Sequence, residues 1–184
     1  MSLFKCTLSQ HDLIRGCLQN DRRMQELLFR NYCSSLLAVS RTYTRNEEDA
    51  IEILQDSFLK IFKQIACFDS DESSIYTWMR TIVVRTAIDH LMKRKNAPET
   101  MAWEEKHDLC IDVEVLQKMT AQQILRLVQK FPETTRGVFN LFVTEGYTHK
   151  EIAEALQIRE RTSTWHLSEA GKYLNNVLKE KKMA

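Results

Sequence analysis

Between residues 75 and 95 the chain writes a helix with almost no polar side. Trp78, Met79, Ile82, Val83, Val84, Ala87, Ile88, Leu91 and Met92 are spread around nearly its whole circumference. A helix apolar all round has to be enclosed by other elements. The rest of the sequence says what those elements are. It holds only 4 glycines and 2 prolines in 184 residues, with glycine at roughly a third of average usage. It also has no sustained two-residue alternation that would build a sheet. The expected fold is therefore all-α. Arg80, Arg85 and His90 interrupt the apolar helix, and Lys93-Arg94-Lys95 closes it. Basic residues at a helix C-terminus complement the dipole, and Arg85 has a simple partner in Asp89 one turn on.

The preceding residues supply the enclosing helices. Ser9, with Asp12 three residues later, caps a short helix running to about Gln19. Asn20-Asp21 marks a second start. A long helix follows, with Met24, Leu27, Leu28, Tyr32, Leu36, Leu37 and Val39 mostly on one face; Arg22, Arg23, Arg30 and Arg41 read as solvated. Asn46 opens the next helix, whose first turn holds Glu47, Glu48 and Asp49, where carboxylates suit the dipole. Its apolar set is Ala50, Ile51, Ile53, Leu54, Phe58, Leu59, Ile61 and Phe62. The other side presents Glu52, Gln55, Asp56, Lys60 and Lys63. Phe58 and Leu59 widen the apolar side beyond what packing needs, so this mixed surface suits a protein partner. Residues 67–74 (CFDSDESS) read as a loop, ended by Ser73 or Ser74 as the cap of the apolar helix.

Residues 96–112 change character. Pro98 lies in a polar run without period, and residues 96–115 carry a net charge of −5, between flanks of +2 and +4. This predicts a linker over 96–114 joining two small helical domains, 1–95 and 115–184. Helical pattern resumes from Val113 to Val128. Phe131-Pro132 breaks it, with Pro132 expected as the first residue of the next helix. Val138, Phe139, Leu141, Phe142 and Val143 fill that helix, and Gly146 stops it; Gly137 in its middle costs about 1 kcal/mol against alanine. Thr148 and Glu151 then form a capping box. Ile152, Ala153 and Leu156 face inward across a short break from Ile158, and Leu167, Ala170, Leu174 and Val177 continue at helical spacing. Two helices joined so tightly form a helix-turn-helix.

Composition excludes several classes. A net charge of +1 does not suit a bulk polyanion binder. Five cysteines at 6, 17, 33, 67 and 110 include no C-x-x-C pair, which fits a reducing compartment. Cys110 three residues after His107 makes no zinc site, and no metal or other cofactor is expected. There is no signal-peptide pattern and no apolar run of membrane-span length, so a cytoplasmic protein without direct membrane binding is expected. Nor is there a glycine-rich phosphate loop, or a nucleophile motif beside a base; the chain reads as a binding protein, not an enzyme.

Three stretches together carry a family resemblance. Residues 50–62 hold an acid-x-x-Gln-acid-x-Phe pattern as Glu52, Gln55, Asp56 and Phe58. Residues 78–95 combine a tryptophan, an apolar run, Asp89-His90-Leu91 and a basic end. Residues 131–172 run from Phe-Pro-Glu through the helix-turn-helix. In this order the chain resembles an extracytoplasmic-function sigma factor, of the sigma-70 family of RNA polymerase subunits. The resemblance implies a region 2-like bundle and a region 4-like four-helix unit. It implies that Glu52, Gln55, Asp56 and Phe58 bind core RNA polymerase. It also implies that the first domain captures minus-10 bases at the 67–74 loop, with Phe68, beside Arg80, Arg85, Lys93, Arg94 and Lys95. Such capture needs apolar pockets and positive charge. In the second domain Thr148, His149 and Lys150 would touch phosphate, and Arg161, Thr164, Trp165, Ser168 and Lys172 would face the minus-35 groove. The implied partners are core RNA polymerase, promoter DNA and an anti-sigma factor, often membrane-anchored in this family; the free factor would be a monomer.

The chain departs from the family pattern in places. Arg85 stands where the family commonly has asparagine. Gln157 occupies the turn where glycine is usual, and Arg159 the usual serine cap. The recognition helix has few basic residues, with Glu169 and Gly171 among the replacements. Two alternatives follow: a sigma-like regulator with weakened minus-35 reading, or a free-standing helix-turn-helix regulator.

Overall fold

The computed structural model describes residues 9–95 and 121–183; the expected linker and the first part of the helix expected from Val113 lie outside these. Among the described residues all regular structure is helical. The helices are α1 (Gln10–Leu18), α2 (Arg22–Tyr43), α3 (Glu47–Gln64), α4 (Ile75–Lys95), α5 (Ala121–Val128), α6 (Glu133–Val143), α7 (His149–Ala155) and α8 (Glu160–Met183), with a 3-10 turn at Ile65–Cys67. The starts follow the side chains expected to cap them. The Ser9 hydroxyl accepts from the Asp12 N–H at 3.1 Å. Asn46 Oδ1 accepts from the Asp49 N–H at 2.7 Å, and Ser74 Oγ from the Thr77 N–H at 3.1 Å. Each satisfies a donor that the first helical turn leaves free. Pro132 is one position from its expected place: it is the N-cap of α6, not its first residue.

The chain divides into two compact units, Met1–Ser40 with Ala50–Thr86, and Arg41–Asp49 with Ala87–Ala184. In the first, Leu28, Leu36, Ile53, Ile61, Met79 and Val83 are buried, joined by Leu13 and Cys17 of α1. Each such side chain contributes about 1.5–3 kcal/mol of hydrophobic stabilisation before chain entropy is charged against it. Phe58 belongs to this core. Its ring lies 4.7 Å from that of Phe29 and 5.9 Å from that of Phe62.

In the second unit, α6 is buried continuously from Thr135 to Leu141. Gly137 is explained by this burial: a Cβ there would stand 2.8 Å from Leu91 Cδ1. Beside it Arg136 is fully buried. One guanidinium N–H donates to the Phe131 carbonyl at 3.0 Å and another to the Tyr43 carbonyl at 3.4 Å. Its Nε has no hydrogen-bond partner among the described residues. Burial first, then the neighbouring Arg45, pushes the Arg136 guanidinium down to about 10. Ile152 and Leu156 of α7 and Leu167, Ala170 and Leu174 of α8 complete the core. Phe131 meets Phe139 and Tyr173 edge to face, at 5.5 and 5.6 Å between ring centroids.

Candidate partner and nucleic-acid interfaces

On α3 the 100° step separates a solvent face from a core face. Glu48, Glu52, Gln55, Asp56, Leu59 and Lys63 are exposed, whereas Ile53, Leu54, Ser57, Phe58 and Ile61 are buried. Phe58 is therefore corrected. Expected beside Glu52, Gln55 and Asp56 on the partner surface, it points into the bundle and is 4% exposed. Its neighbour Leu59 takes the outward place, 59% exposed in the middle of the acidic side chains, with Ile51 at 39% on the margin. An exposed apolar side chain with an apolar neighbour on its margin is a surface that a protein partner can cover. The sequence showed Leu59 only as extra apolar width.

The first part of α4 begins under the 67–74 loop. Asp69 closes a turn by accepting from the Asp71 N–H at 2.8 Å. Phe68, half-buried, lies against Trp78 with centroids 5.6 Å apart, and Trp78 is itself only partly covered. Trp78, Thr81 and Arg85 succeed one another at i, i+3 and i+7 on one side of the helix. Thr81 and Arg85 are exposed. The expected Arg85–Asp89 ion pair does not form: Arg85 has no partner among the described residues. Arg80 is half-covered and engaged with protein. Nearer the end of α4, Lys93 is exposed, while Arg94 pairs with Asp49 and also reaches Glu133 at 3.3 Å. The Lys95 side chain lies outside the described set.

The helix-turn-helix is α7 and α8. Its capping box is complete: Thr148 Oγ1 accepts from the Glu151 N–H at 3.3 Å, and the Glu151 carboxylate accepts from the Thr148 N–H at 2.8 Å. Those bonds hold the Glu151 carboxyl below the usual glutamate range. Gln157, in the turn, sits at φ 49°, the left-handed conformation that glycine adopts without strain. Lys150 is exposed, but His149 is stacked on Phe142 at 4.8 Å and bonded to Ser163 Oγ at 3.0 Å.

On α8 the expected DNA-facing edge is only partly open. Arg161 and Thr164 are exposed, Arg161 being in contact with other protein groups and the Thr164 hydroxyl donating to the Glu160 carbonyl at 3.2 Å. Trp165 is half-covered, edge-on to His166 at 4.8 Å. His166 is buried, with Nδ1 2.9 Å from Thr135 Oγ1. Ser168 is a second correction: placed by the helical wheel on the open edge, it is 5% exposed. The buried arc of α8 takes in Gly171 and Ser168 as well as Leu167, Ala170 and Leu174, because small side chains let neighbouring atoms close over them. Lys172 is held by Glu169 at 2.6 Å. One cation was missed. Arg159, noted only as an unusual cap, is exposed and without a partner among the described residues. Its carbonyl accepts from the Thr162 and Ser163 N–H groups at 2.9 and 3.1 Å, which fixes its backbone at the start of α8. In such motifs that end of the second helix meets base edges.

Comparison with known proteins places the sequence in a family. Residues 28–97 match the family model Sigma-70 region 2, and residues 121–172 match Sigma-70, region 4. The chain is 25% identical to the RNA polymerase sigma-H factor of Pseudomonas aeruginosa over 79% of its own length and 81% of that protein's. It is 27% identical to the ECF RNA polymerase sigma factor SigM of Mycobacterium tuberculosis, over 84% and 76% respectively. Among solved structures, the sigma factor RpoE in complex with the anti-sigma factor NepR from Bartonella quintana is similar with a TM-score of 0.48 and 16% identity, covering 84% of this chain and 96% of that one. With both conserved regions of the family matched in order, and the relatives aligned across most of the chain, this protein belongs to the sigma-70 family as an extracytoplasmic-function sigma factor, an alternative factor that directs transcription initiation.

Proposed function

We propose that the chain works as two promoter-reading modules, 1–95 and 115–184, tethered by the acidic segment 96–114 and delivered to DNA by core RNA polymerase. Glu52, Gln55 and Asp56 form the polymerase-docking rim, with Leu59 as its apolar centre. The first module opens the minus-10 element and holds unstacked bases at the Phe68–Trp78 pair. The second lays α8 toward the minus-35 groove, and Lys150 and Arg159, without partners among the described residues, lie beside it. The protein acts in the cytoplasm by assembly rather than by catalysis, and a dedicated anti-sigma factor is its regulator. The observation that carries this reading is the outward Leu59 among exposed carboxylates on α3. Among the described residues no helix is long and apolar enough to cross a membrane.

The test is run-off transcription with core polymerase on candidate promoters. Specific transcripts are expected, and Asp56→Lys is expected to weaken core binding about tenfold or more while leaving DNA contact by the assembled complex unchanged. Absence of core binding by the wild-type chain overturns the reading. A second reading, with most recognition at the minus-10 element, is favoured by the state of α8: Ser168 is buried and Lys172 is tied to Glu169.

A further inference from the structure

Along α6 the polar residues Glu133, Arg136 and Asn140 follow one another at i, i+3 and i+7, on one face of the helix. Arg136 and Asn140 are buried. Their bonds go to the corner between α2 and α3. Asn140 Nδ2 donates to the Thr42 carbonyl at 2.5 Å, and Arg136 to the Tyr43 carbonyl at 3.4 Å. Both carbonyls lie in the last turn of α2, where the helix supplies no donor of its own. The corner answers in kind. Arg45 donates to the Phe131 carbonyl at 3.0 Å, and the Tyr43 hydroxyl to the Glu145 carboxylate at 3.3 Å. Glu133 reaches Arg94 of α4, which also pairs with Asp49. All these residues fall within the second compact unit. In the functional division given above, however, the corner and α4 belong to module 1–95, and α6 to module 115–184.

The contact is held by polar groups and is imperfectly satisfied. Arg136 has two further guanidinium groups beside it, those of Arg45 and Arg94, against the carboxylates of Glu133 and Asp49. Its Nε is buried with no hydrogen-bond partner among the described residues, so closure costs the desolvation of that N–H. Water would satisfy each of these groups if the contact opened, and a polar contact of this kind is reversible. The closed chain also has too short a reach. Minus-10 and minus-35 elements stand about 25 base pairs apart, which is about 85 Å of duplex. From Trp78 to Arg94 is about 24 Å along α4. Glu133 touches Arg94, and Thr135 of the same α6 is bonded to His166 of α8 at 2.9 Å. One further helix-to-helix step adds about 10 Å, and the sum falls far short of the promoter spacing.

We propose that this contact is autoinhibitory: it holds α6 closed on the α2–α3 corner in the free factor, and it has to open before core polymerase can take up both modules. This rests on the polymerase-docking role given above. Only the open fraction then binds, and apparent affinity is the intrinsic affinity scaled by that fraction. Weakening the contact should therefore tighten binding, the opposite of what losing a docking or structural contact does.

The experiment uses the full chain and two variants that cut separate bonds. Asn140→Ala removes the donor to Thr42, and Glu133→Gln removes the charge facing Arg94. Small-angle X-ray scattering of each free chain is expected to show a larger radius of gyration than the wild type. Binding to core polymerase, followed by anisotropy of the dye-labelled chain, is expected to be several-fold tighter for each variant. Run-off transcription at saturating core is expected to match the wild type. Core affinity that is unchanged or weaker in both variants overturns the proposal, and so does an unchanged radius of gyration in both. Circular dichroism checks that helix content is native. If Asn140→Ala fails that check, Glu133→Gln, whose site is partly exposed, decides alone. A wild-type chain that does not bind core polymerase overturns the parent reading instead, and the scattering comparison then decides whether the contact is a closed form.

Discussion

The first unit and the helix-turn-helix both present polar side chains on apolar helices, but they treat them differently. On α3 and α4 two outward groups stand clear of other protein groups: Leu59 in water among carboxylates, and Arg85 without an ion-pair partner among the described residues. In the helix-turn-helix most of the corresponding groups are bonded within the protein. His149 is held by Ser163, Trp165 rests on His166, Lys172 is neutralised by Glu169 and Ser168 is covered. A side chain already bonded must exchange that bond for a new one, so its net gain on binding is small. The difference teaches that the same residue types, similarly spaced, give one surface ready to bind and another that has to be rearranged first.

The contrast can be broken most sharply inside α3. Phe58→Ala should cost about 3–5 kcal/mol in chemical denaturation, the range for emptying a buried aromatic site. Leu59→Ala, one residue on, should leave stability within about 0.5 kcal/mol yet weaken core-polymerase binding. Similar losses of stability in both would erase the distinction between core and surface. Next in size, transcription should fall about tenfold or more when a minus-10 base pair is changed, at about 1–3 kcal/mol per mismatch. A minus-35 change should do clearly less; equal effects would show that α8 reads as strongly as the first unit. Gln157→Gly relieves a left-handed residue and should raise thermal stability by up to about 1 kcal/mol, part being lost to the greater freedom of glycine in the unfolded chain. Glu169→Gln frees Lys172, and duplex binding by the holoenzyme should then steepen its salt slope by about 0.9.

The smallest effect concerns pH. The carboxyl of Glu151 is held below the ordinary glutamate value by the Thr148 N–H and hydroxyl. Its contribution is therefore complete above that value and disappears as the pH falls through the depressed folded one. Circular dichroism of the wild type and of Glu151→Gln should converge in acid; a constant gap between them would remove the capping box from the account.

Most of the fold could be read from the sequence because its signals are local. Ser9, Asn46, Ser74 and Thr148 each bond a backbone N–H three residues away, and no distant contact changes that. The left-handed residue at Gln157 was legible only through the family resemblance, in which glycine is usual at that turn. The interface was harder. Phe58 lies in the same motif as Glu52, Gln55 and Asp56, but a motif is a string, and only the 100° step assigns its members to faces. Asp89 lies at the favoured distance from Arg85, yet an exposed pair contributes so little that side-chain entropy can leave it unmade. The Lys172–Glu169 pair had a spacing that could have been noticed. The burial of Ser168 depends on what closes over α8, which helical periodicity does not contain.

Trp78 and Trp165 have a practical consequence. One lies on α4 against Phe68, where base capture is proposed, and the other on α8, both only partly covered. The chain has one further tryptophan, Trp103, outside the described residues. Replacing Trp103 and either of the other two by phenylalanine leaves a single tryptophan at one of the two surfaces proposed to face DNA. Incorporated as a fluorinated tryptophan, that residue would report strand capture in one version and groove engagement in the other by fluorine NMR, apart from the tryptophans of unlabelled core polymerase.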